Sequence, residues 1–233
     1  MDKLQLERIN QRNPFLSVNE AVYQVVRREI LLLRIRPGAR IRVSNISEML
    51  HVSRTPVKQA FERLYQEKLL KKREGKSGYF VMQMSRGSLE DLFYTRKIIE
   101  GNATYLCALH PRDLDLAKLK SVAEEFEQIF LTGNYEKLSE VDCLFHQILV
   151  DGSQNAYMQS MYRSLRDPIL YLSMRTQDEL VRGHISELPS NFAMQHLSIY
   201  HAVEMGIPHL ALQTAYSHID SCVDFVRRNY QGY

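Results

Sequence analysis

The 233-residue sequence is poor in cysteine and contains no long apolar run. Its three cysteines, Cys107, Cys143 and Cys222, are widely spaced among apolar residues, which suits reduced, buried thiols better than a disulfide framework. No apolar stretch approaches the roughly 18 residues of a membrane-spanning helix, and the charged residues 1–11 are not followed by an apolar signal region. We therefore expect a globular protein of the cytoplasm that does not enter a membrane.

Acidic residues are scarce in the first part of the chain, although the net charge of the whole chain is only +3. Residues 1–86 hold 18 Lys and Arg against 8 Asp and Glu, whereas residues 87–233 hold 12 against 19, which gives net charges of +10 and −7. This asymmetry indicates that the N-terminal part binds a polyanion, and charge alone leaves a solvated basic surface as the alternative. The polar residues 83–87 are predicted to link a domain over 1–82 to a domain over 88–233.

Three short helices are predicted in the N-terminal domain. Apolar residues recur at helical spacing from Val18 to Leu33, and a second helix is expected over residues 44–50. A third helix begins at Ser53 or Thr55 and has an apolar stripe on one side. Its opposite face is polar and basic, with Arg54, Thr55, Lys58, Gln59, Glu62 and Arg63.

A hairpin is predicted after the third helix. Residues 69–73 and 78–81 have the composition of two short strands, and the four residues between them form a basic tip. Two helices joined by a tight turn and followed by such a hairpin are typical of a winged helix-turn-helix, in which the second helix reads the major groove of DNA. Arg54 can make a forked hydrogen bond to guanine or contact a phosphate. The N-terminus of the helix also favours a phosphate at this place.

This region resembles the GntR family of bacterial regulators in three stretches, Ile35–Ile41, Val52–Leu64 and Gly75–Val81, and the resemblance covers about residues 18–82 without a gap. It implies that the third helix contacts DNA through Ser53, Arg54, Thr55 and Lys58. It also implies that Lys76 in the hairpin, the wing, enters the minor groove. Lys58 stands where the family usually has Arg, and because an ammonium cannot fork, we expect a phosphate contact there.

The C-terminal domain is predicted to be an all-α bundle, so the fold class is mainly α, with an N-terminal winged helix-turn-helix and a C-terminal helical bundle. No segment of it has the alternation of a strand. Six helices are expected, near residues 88–109, 112–131, 134–150, 155–180, 188–205 and 208–230.

Potential metal ligands lie on three of these helices. Asp142 and His146 are four residues apart and therefore share one helix face. His196 and His218 lie in apolar stretches of the last two helices, which a short turn makes antiparallel neighbours, so both can face the bundle centre. A buried histidine cluster that is satisfied by hydrogen bonds is the alternative to a metal site.

Two other histidines of the last helices face elsewhere. At about 100° per residue, His201 lies about 140° around its helix from His196, and His209 lies about 180° from His218. We interpret His201 and His209 as structural or exposed residues.

The C-terminal domain also resembles a known group, the FadR-type ligand-binding domain (FCD) of GntR regulators. The resemblance covers residues 88–228, with motifs at Arg96–Glu100, Asp142–His146 and Gly152–Asn155 and the interval from His196 to His218. Metal-binding members of this group use one Asp and three His. The resemblance therefore implies that a divalent ion, Zn²⁺ or Ni²⁺ from the donor set, is bound by Asp142, His146, His196 and His218.

The resemblance further implies a small organic acid as effector, which could bind an open coordination position of the ion. Arg96 on the first helix of the bundle could reach a carboxylate of this acid. An ion pair with Glu100, one turn further on, is the alternative role for Arg96, and Arg163, Arg166 and Arg175 are further candidates that the sequence does not rank.

Together these features predict a sequence-specific transcription regulator, expected to be a repressor, that binds a near-palindromic double-stranded operator as a homodimer. A metal-dependent enzyme with a DNA-targeting domain is one alternative. The chain has no general base at the spacing seen in a zinc protease helix, so we expect no enzymatic activity. An architectural DNA-binding protein without an effector is the other alternative, and it leaves the four potential metal ligands unexplained.

Overall fold

A computed structural model describes residues 3–183, 185 and 191–229 of the chain. The chain divides into two compact units, Met1–Gln83 and Met84–Tyr233. The fold is mainly α with a small sheet in the first unit, and the predicted fold class is confirmed. Within the described residues, no helix has both the length and the apolar content needed to cross a bilayer.

The first unit contains four helices among its described residues. Helix α2 and helix α4 carry apolar stripes that are buried against each other, and in α4 the stripe includes Val57 and Phe61, both inaccessible to solvent. Helix α3 begins one residue earlier than predicted, and α1 was not predicted from the sequence. The helices are α1 (Lys3–Arg12), α2 (Val18–Leu31), α3 (Val43–Leu50) and α4 (Arg54–Gln66).

The turn between α3 and α4 fixes their relative direction. His51 adopts a left-handed conformation, with φ of 53°, and ends α3. The backbone N–H of Val52 then donates to the carbonyl of Ser47, and the Ser47 hydroxyl donates to the carbonyl of Val52 over 2.7 Å. These bonds satisfy the backbone at the end of α3, and α4 begins three residues later.

The first unit also contains a three-stranded antiparallel sheet. Its strand order is β1 (Arg40–Ile41), β3 (Lys76–Val81) and β2 (Leu70–Arg73). The β2–β3 turn contains only Glu74 and Gly75, so β3 begins two residues earlier than predicted. Gly78 has φ of 92°, and a Cβ there would lie 3.0 Å from the carbonyl oxygen of Ile41. Glycine therefore allows β1 to pair closely with the wing.

In the described residues of the second unit, every element of regular secondary structure is helical. Helix α5 begins two residues earlier than predicted, so Arg86 and Gly87, assigned to the linker from the sequence, form its first turn. The next two predicted helices begin later than expected, because single 3-10 turns at Pro111–Asp113 and Tyr135–Lys137 precede them. The helices are α5 (Arg86–Leu109), α6 (Leu116–Thr132), α7 (Leu138–Gly152), α8 (Ala156–Val181), α9 (Asn191–Glu204) and α10 (Pro208–Asn229).

Two predicted helix ends lie outside the described residues: the start at 188–190 and the end at residue 230. The core of the unit is built by α5 against α10, α6 against α9 and α7 against α8. Gly101 permits the first of these contacts, since a Cβ there would lie 2.2 Å from the ring of Tyr216 on α10. The predicted metal ligands lie on α7, α9 and α10, at the centre of this core.

Candidate functional site

The four residues predicted as metal ligands lie together inside the helical unit. Asp142 and His146 are one turn apart on α7, whereas His196 comes from α9 and His218 from α10. One ligand atom of each residue lies within 4.8 Å of the others. The three imidazoles are at most 2% exposed. We call these four residues the Asp/His cluster.

The histidines direct their Nε2 atoms toward one another and toward Asp142. The Oδ1 atom of Asp142 lies 3.6 Å from Nε2 of His146 and 3.7 Å from Nε2 of His196. Nε2 of His146 is 3.2 Å from Nε2 of His218. Three nitrogen donors and one oxygen donor therefore surround a single point, as in a mononuclear site for a divalent ion.

Residues around the cluster hold its members in place. Nδ1 of His146 lies 2.8 Å from Oε2 of Glu100, and Nδ1 of His218 lies 2.9 Å from Oε1 of Gln195. The Gln195 amide nitrogen donates to Ser221, whose hydroxyl donates in turn to a helix carbonyl, so the amide oxygen faces His218. Both imidazoles therefore carry a proton on Nδ1 and present Nε2 to the centre, the arrangement that outer contacts impose on metal-binding histidines.

His196 is the member of the cluster that bears most on the choice between a metal site and a hydrogen-bonded histidine cluster. Its ring is fully buried between Phe126 and Phe145, with ring centroids 3.8 and 4.1 Å away. Among the described residues, neither of its nitrogens has a hydrogen-bond partner. A buried polar atom left in this state costs about 1–3 kcal/mol. Hydrogen bonds explain His146 and His218 but not His196, whereas a cation at the centre would satisfy Nε2 of all three.

Charge in the cluster is concentrated on His146. Burial disfavours its charged form, but the carboxylates of Glu100 and Asp142 outweigh burial and raise the pKa of His146 to about 9. Burial, together with the charge on His146, lowers the pKa of His218 to about 3. Burial also lowers the pKa of His196 far below its ordinary value. One positive charge is therefore favoured between His146 and His218, and either a proton or a metal ion can supply it.

A cavity of about 70 Å³ lies against the cluster. Asp142 and His218 form part of its wall, with Arg96, Ser173 and Thr176 as further polar groups. The Ser173 hydroxyl donates to Oδ2 of Asp142 over 2.9 Å. Most of the remaining wall is apolar and consists of Phe93, Phe126, Phe130, Leu138, Leu172, Phe192, Phe225 and Val226.

Arg96 forms the ion pair with Glu100 that the sequence offered as one of its two roles. It is 3% exposed, and its Nε and Nη2 atoms donate to the Glu100 carboxylate over 2.6 and 3.3 Å. It also lines the cavity, and a guanidinium has five N–H groups, so donors remain for a ligand. Among the four arginines considered from the sequence, Arg163, Arg166 and Arg175 do not line this cavity.

The predicted DNA-contacting residues lie on one exposed face of the first unit. Ser53 is the N-cap of α4, but its side chain accepts no capping hydrogen bond, and Arg54, Thr55 and Lys58 are exposed beside it. None of these four side chains has an ion-pair or hydrogen-bond partner in the described part of the chain. They are therefore available to phosphates and base edges.

The wing, which carries Lys76, is held by contacts of its own. Lys76 is exposed at the start of β3, directly after the Glu74–Gly75 turn. The Arg40 guanidinium donates to the carbonyl and the hydroxyl of Ser77 over 2.7 and 2.5 Å, which ties β1 to the base of the wing.

Arg63, on the polar face of α4, is committed within its own unit. It forms ion pairs with Glu20 and Glu67, and its guanidinium lies 3.6 Å above the ring of Tyr23. The sequence grouped Arg63 with the DNA-facing residues, and the structure assigns it to packing between α2 and α4.

Sequence reasoning did not identify Glu100, Gln195 and Ser173 as partners of the cluster. Glu100 was considered only in relation to Arg96, because its contact with His146 joins positions that are far apart in the chain. Gln195 directly precedes His196 but contacts His218 on the neighbouring helix. His201 is 55% exposed, and the ring of His209 packs against Tyr105, in line with their interpretation from helix geometry.

Comparisons with known proteins match both units. The family described as bacterial regulatory proteins, gntR family, matches residues 18–81, and the FCD domain matches residues 91–221. The chain is 25% identical over 197 residues to the HTH-type transcriptional repressor RspR of Escherichia coli, an alignment that covers 83% of this chain and 82% of RspR. It is 32% identical over 138 residues to the Nta operon transcriptional regulator of Aminobacter aminovorans, covering 58% of this chain and 64% of that protein.

Solved structures share the fold. E. coli McbR/YncC matches with a TM-score of 0.70 at 19% identity, over 93% of this chain and 100% of that one. A transcriptional regulator GntR from Rhodococcus sp. RHA1 matches with a TM-score of 0.73 at 20% identity, over the same shares of both chains. Because its relatives are regulators and not enzymes, and because both of its units match in order, the chain belongs to the GntR family of bacterial transcriptional regulators, in the FadR subfamily with a C-terminal effector-binding FCD domain.

Proposed function

We propose that this regulator is a metal-dependent repressor that releases its operator when a small organic acid binds beside the ion. The observation that carries the proposal is the buried, unpaired Nε2 of His196, which points at the same centre as two other imidazoles and a carboxylate. A cavity adjoins this centre, so a ligand can reach the ion.

The first unit would bind DNA in the bacterial cytoplasm. Helix α4 lies in the major groove, where Arg54 reads a guanine edge or holds a phosphate and Lys58 holds a phosphate. Ser53 and Thr55, at the positively polarised start of α4, contact the backbone, and Lys76 enters the minor groove from the wing. A homodimer presents two such units to the half-sites of a near-palindromic operator.

The second unit would hold the ion through Asp142, His146, His196 and His218. Three imidazoles and one carboxylate suit Zn²⁺ or Ni²⁺. When bound, the ion supplies a positive charge and a coordination position for a carboxylate. Glu100 and Gln195 keep the imidazoles in the correct tautomer and orientation.

The cavity would select the effector by size and charge. Its volume of about 70 Å³ suits an acid of a few non-hydrogen atoms, and its mainly apolar wall excludes water from the ionic contacts. The donors of Arg96 that Glu100 does not use favour a second carboxylate or a hydroxyl group on the ligand. The acid acts by binding one arrangement of the dimer more tightly than another, which shifts the population away from the DNA-competent state.

The test is to incubate the purified full-length protein with fragmented genomic DNA from its source and to sequence the DNA that it retains. We expect one inverted repeat to be enriched by the protein loaded with Zn²⁺, and we expect retention to fall when the protein is treated with a chelator or with the cognate acid. His196→Ala should lose the response to the chelator, whereas His201→Ala, on an exposed site of the same helix, should keep it.

Retention that is the same with and without the chelator in the unmodified protein would contradict metal dependence. In a reporter strain with the recovered repeat upstream of the reporter gene, deletion of the regulator should raise expression. A fall in expression would contradict the repressor assignment.

A further inference from the structure

Cys222 lies beside the Asp/His cluster, although the sequence favoured a buried thiol over a ligand at this position. It follows His218 by one turn of α10, and its Sγ is 3.8 Å from Nε2 of His218. It is half-buried and forms part of the cavity wall, with Asp142 and His218. The thiol therefore borders both the cluster and the cavity.

The spacing between His218 and Cys222 repeats the spacing between two of the predicted metal ligands. Asp142 and His146 form a pair four residues apart on α7, and His218 and Cys222 form a second such pair on α10. His196, buried and unpaired, points into the space that these two pairs share. Side chains four residues apart on a helix lie on the same face, so both pairs can reach one ion.

The distance between Cys222 and His218 fits coordination of a common ion. A zinc ion holds imidazole nitrogen at about 2.0–2.1 Å and thiolate sulfur at about 2.3 Å, so neighbouring N and S ligands of a five-coordinate ion lie roughly 3.1–3.8 Å apart. The 3.8 Å between Sγ of Cys222 and Nε2 of His218 is at the upper end of this range.

We propose that Cys222 is a fifth donor of the metal centre and that its thiolate fills the cavity-facing coordination position until an effector carboxylate displaces it. This inference rests on the metal site of the proposed function. When the ion binds, the S–H bond breaks, the proton goes to solvent, and a metal–sulfur bond forms. When the acid binds, a metal–oxygen bond replaces the metal–sulfur bond, and the released thiolate takes a proton from solvent.

A thiolate ligand changes which ions the centre prefers. A site of three imidazoles and one carboxylate accepts a range of divalent ions, whereas an added sulfur donor favours softer ions over Mg²⁺ and Mn²⁺. The same sulfur makes the effector compete with a ligand of the protein itself, so the acid must bind strongly enough to replace it.

The test uses Co²⁺ as a spectroscopic probe in the full-length protein after removal of bound metal with a chelator. Visible d–d bands report Co²⁺ in the Asp/His cluster, and a sulfur-to-cobalt charge-transfer band in the near ultraviolet reports a bound thiolate. We expect both signals in the unmodified protein. Cys222→Ser should keep the d–d bands and lose the charge-transfer band, whereas Cys143→Ser, the matched cysteine control on α7, should keep both.

Malonate, as a small dicarboxylate probe, should remove the charge-transfer band of the unmodified protein and leave d–d absorption in place. Persistence of the charge-transfer band in Cys222→Ser, or d–d bands without it in the unmodified protein, would overturn the role of Cys222 and leave the metal site standing. Absence of d–d bands from the unmodified protein, or an unchanged affinity of His196→Ala for Co²⁺ in a titration of these bands, would overturn the metal site itself. Circular dichroism of each variant establishes that it is folded.

Discussion

Nε2 of His146 and Nε2 of His218 lie 3.2 Å apart, and each imidazole has its other nitrogen against an oxygen acceptor, Glu100 or Gln195. Two neutral rings in this arrangement would direct lone pairs at each other. A positive charge between the rings removes the conflict, as a proton on His146 in the metal-free chain or as a divalent ion in the loaded one. Metal binding at this cluster would therefore exchange one cation for another.

Loss of His196 should abolish stabilisation by the metal. At a Zn²⁺ concentration one hundred times the Kd, a bound ion stabilises the folded chain by about 2.7 kcal/mol, which corresponds to a rise in Tm of roughly 5–10 °C for a protein of this size. We expect this rise in the unmodified protein and in His201→Ala, whose side chain is exposed, and no rise in His196→Ala. Thermal unfolding with and without Zn²⁺ measures it, and an equal rise in all three proteins would place the ion elsewhere.

Glu100→Gln should weaken metal binding without removing a ligand. The Glu100 carboxylate fixes the tautomer of His146, and loss of such an outer contact typically lowers metal affinity about 10–100-fold. The substitution also leaves Arg96 buried without its counter-charge, so the free energy of unfolding should fall by about 3–5 kcal/mol.

Competition for Zn²⁺ with a chromophoric chelator measures the affinity of the Glu100→Gln variant, and urea unfolding measures its stability. Glu204→Gln is the matched control, because Glu204 is 46% exposed and pairs with His201 away from the cluster. If both variants bound Zn²⁺ as the unmodified protein does, Glu100 would have no role in holding His146.

Arg54→Ala and Lys58→Ala should weaken DNA binding in different ways. Loss of a forked contact from Arg54 to guanine should cost about 1–3 kcal/mol and should relax specificity at one base pair. Loss of a phosphate contact from Lys58 should weaken binding to all sequences alike and reduce the slope of log affinity against log salt by about 1.

Binding of the recovered operator and of point-mutated operators, measured at several salt concentrations, separates these two effects. Lys118→Ala, an exposed substitution in the acidic second unit, is the control and should change neither affinity nor slope. An Arg54→Ala variant that still distinguishes the operator from scrambled DNA as sharply as before would exclude base reading by this residue.

Alkaline pH should destabilise the second unit through Cys107. This thiol is 1% exposed and donates to the carbonyl of Leu149, and burial raises its pKa from 9.0 to about 12. The folded chain therefore holds the thiol proton more tightly than the unfolded chain, so the stabilisation is complete below pH 9 and is lost as the pH rises toward 12. The slope is at most about 1.4 kcal/mol per pH unit.

Urea unfolding between pH 8 and pH 11 measures this dependence, with Cys107→Ala as the comparison. The variant should be less stable at pH 8 and should lose less stability on going to pH 11, because the other alkaline groups are the same in both proteins. Parallel pH curves for the two proteins would show that Cys107 ionises equally well in the folded and unfolded chains.

Periodicity predicted the long elements and failed for the short ones. An apolar stripe over fourteen residues, as in α2, gives a clear helical period, so that helix was located to within two residues of its end. Strand β1 has two residues, too few for alternation to appear, and it exists because β3 offers it an open edge. The 3-10 turns before α6 and α7 were missed for a similar reason. Each has only three residues, too few to show a period of its own, so the sequence pattern placed the helix starts too early.

The candidate metal ligands could be named from the sequence, but their surroundings could not. Helical spacing places Asp142 with His146, and angular position separates His196 from His201. The contact between Glu100 and His146 depends on how α5 packs against α7, which no local pattern encodes. The role of Gln195 likewise needed the packing of α9 against α10.

The candidate ligands of the Asp/His cluster come from three helices, and Asp142 and His146 on α7 lie far along the chain from His196 on α9 and His218 on α10. A bound ion would thus cross-link the three helices. Without it, the helical unit would unfold locally more often and would be cleaved sooner by cellular proteases. The number of regulator molecules in the cell would then follow the supply of the metal. Metal scarcity could relieve repression through protein turnover alone, before any change in effector concentration.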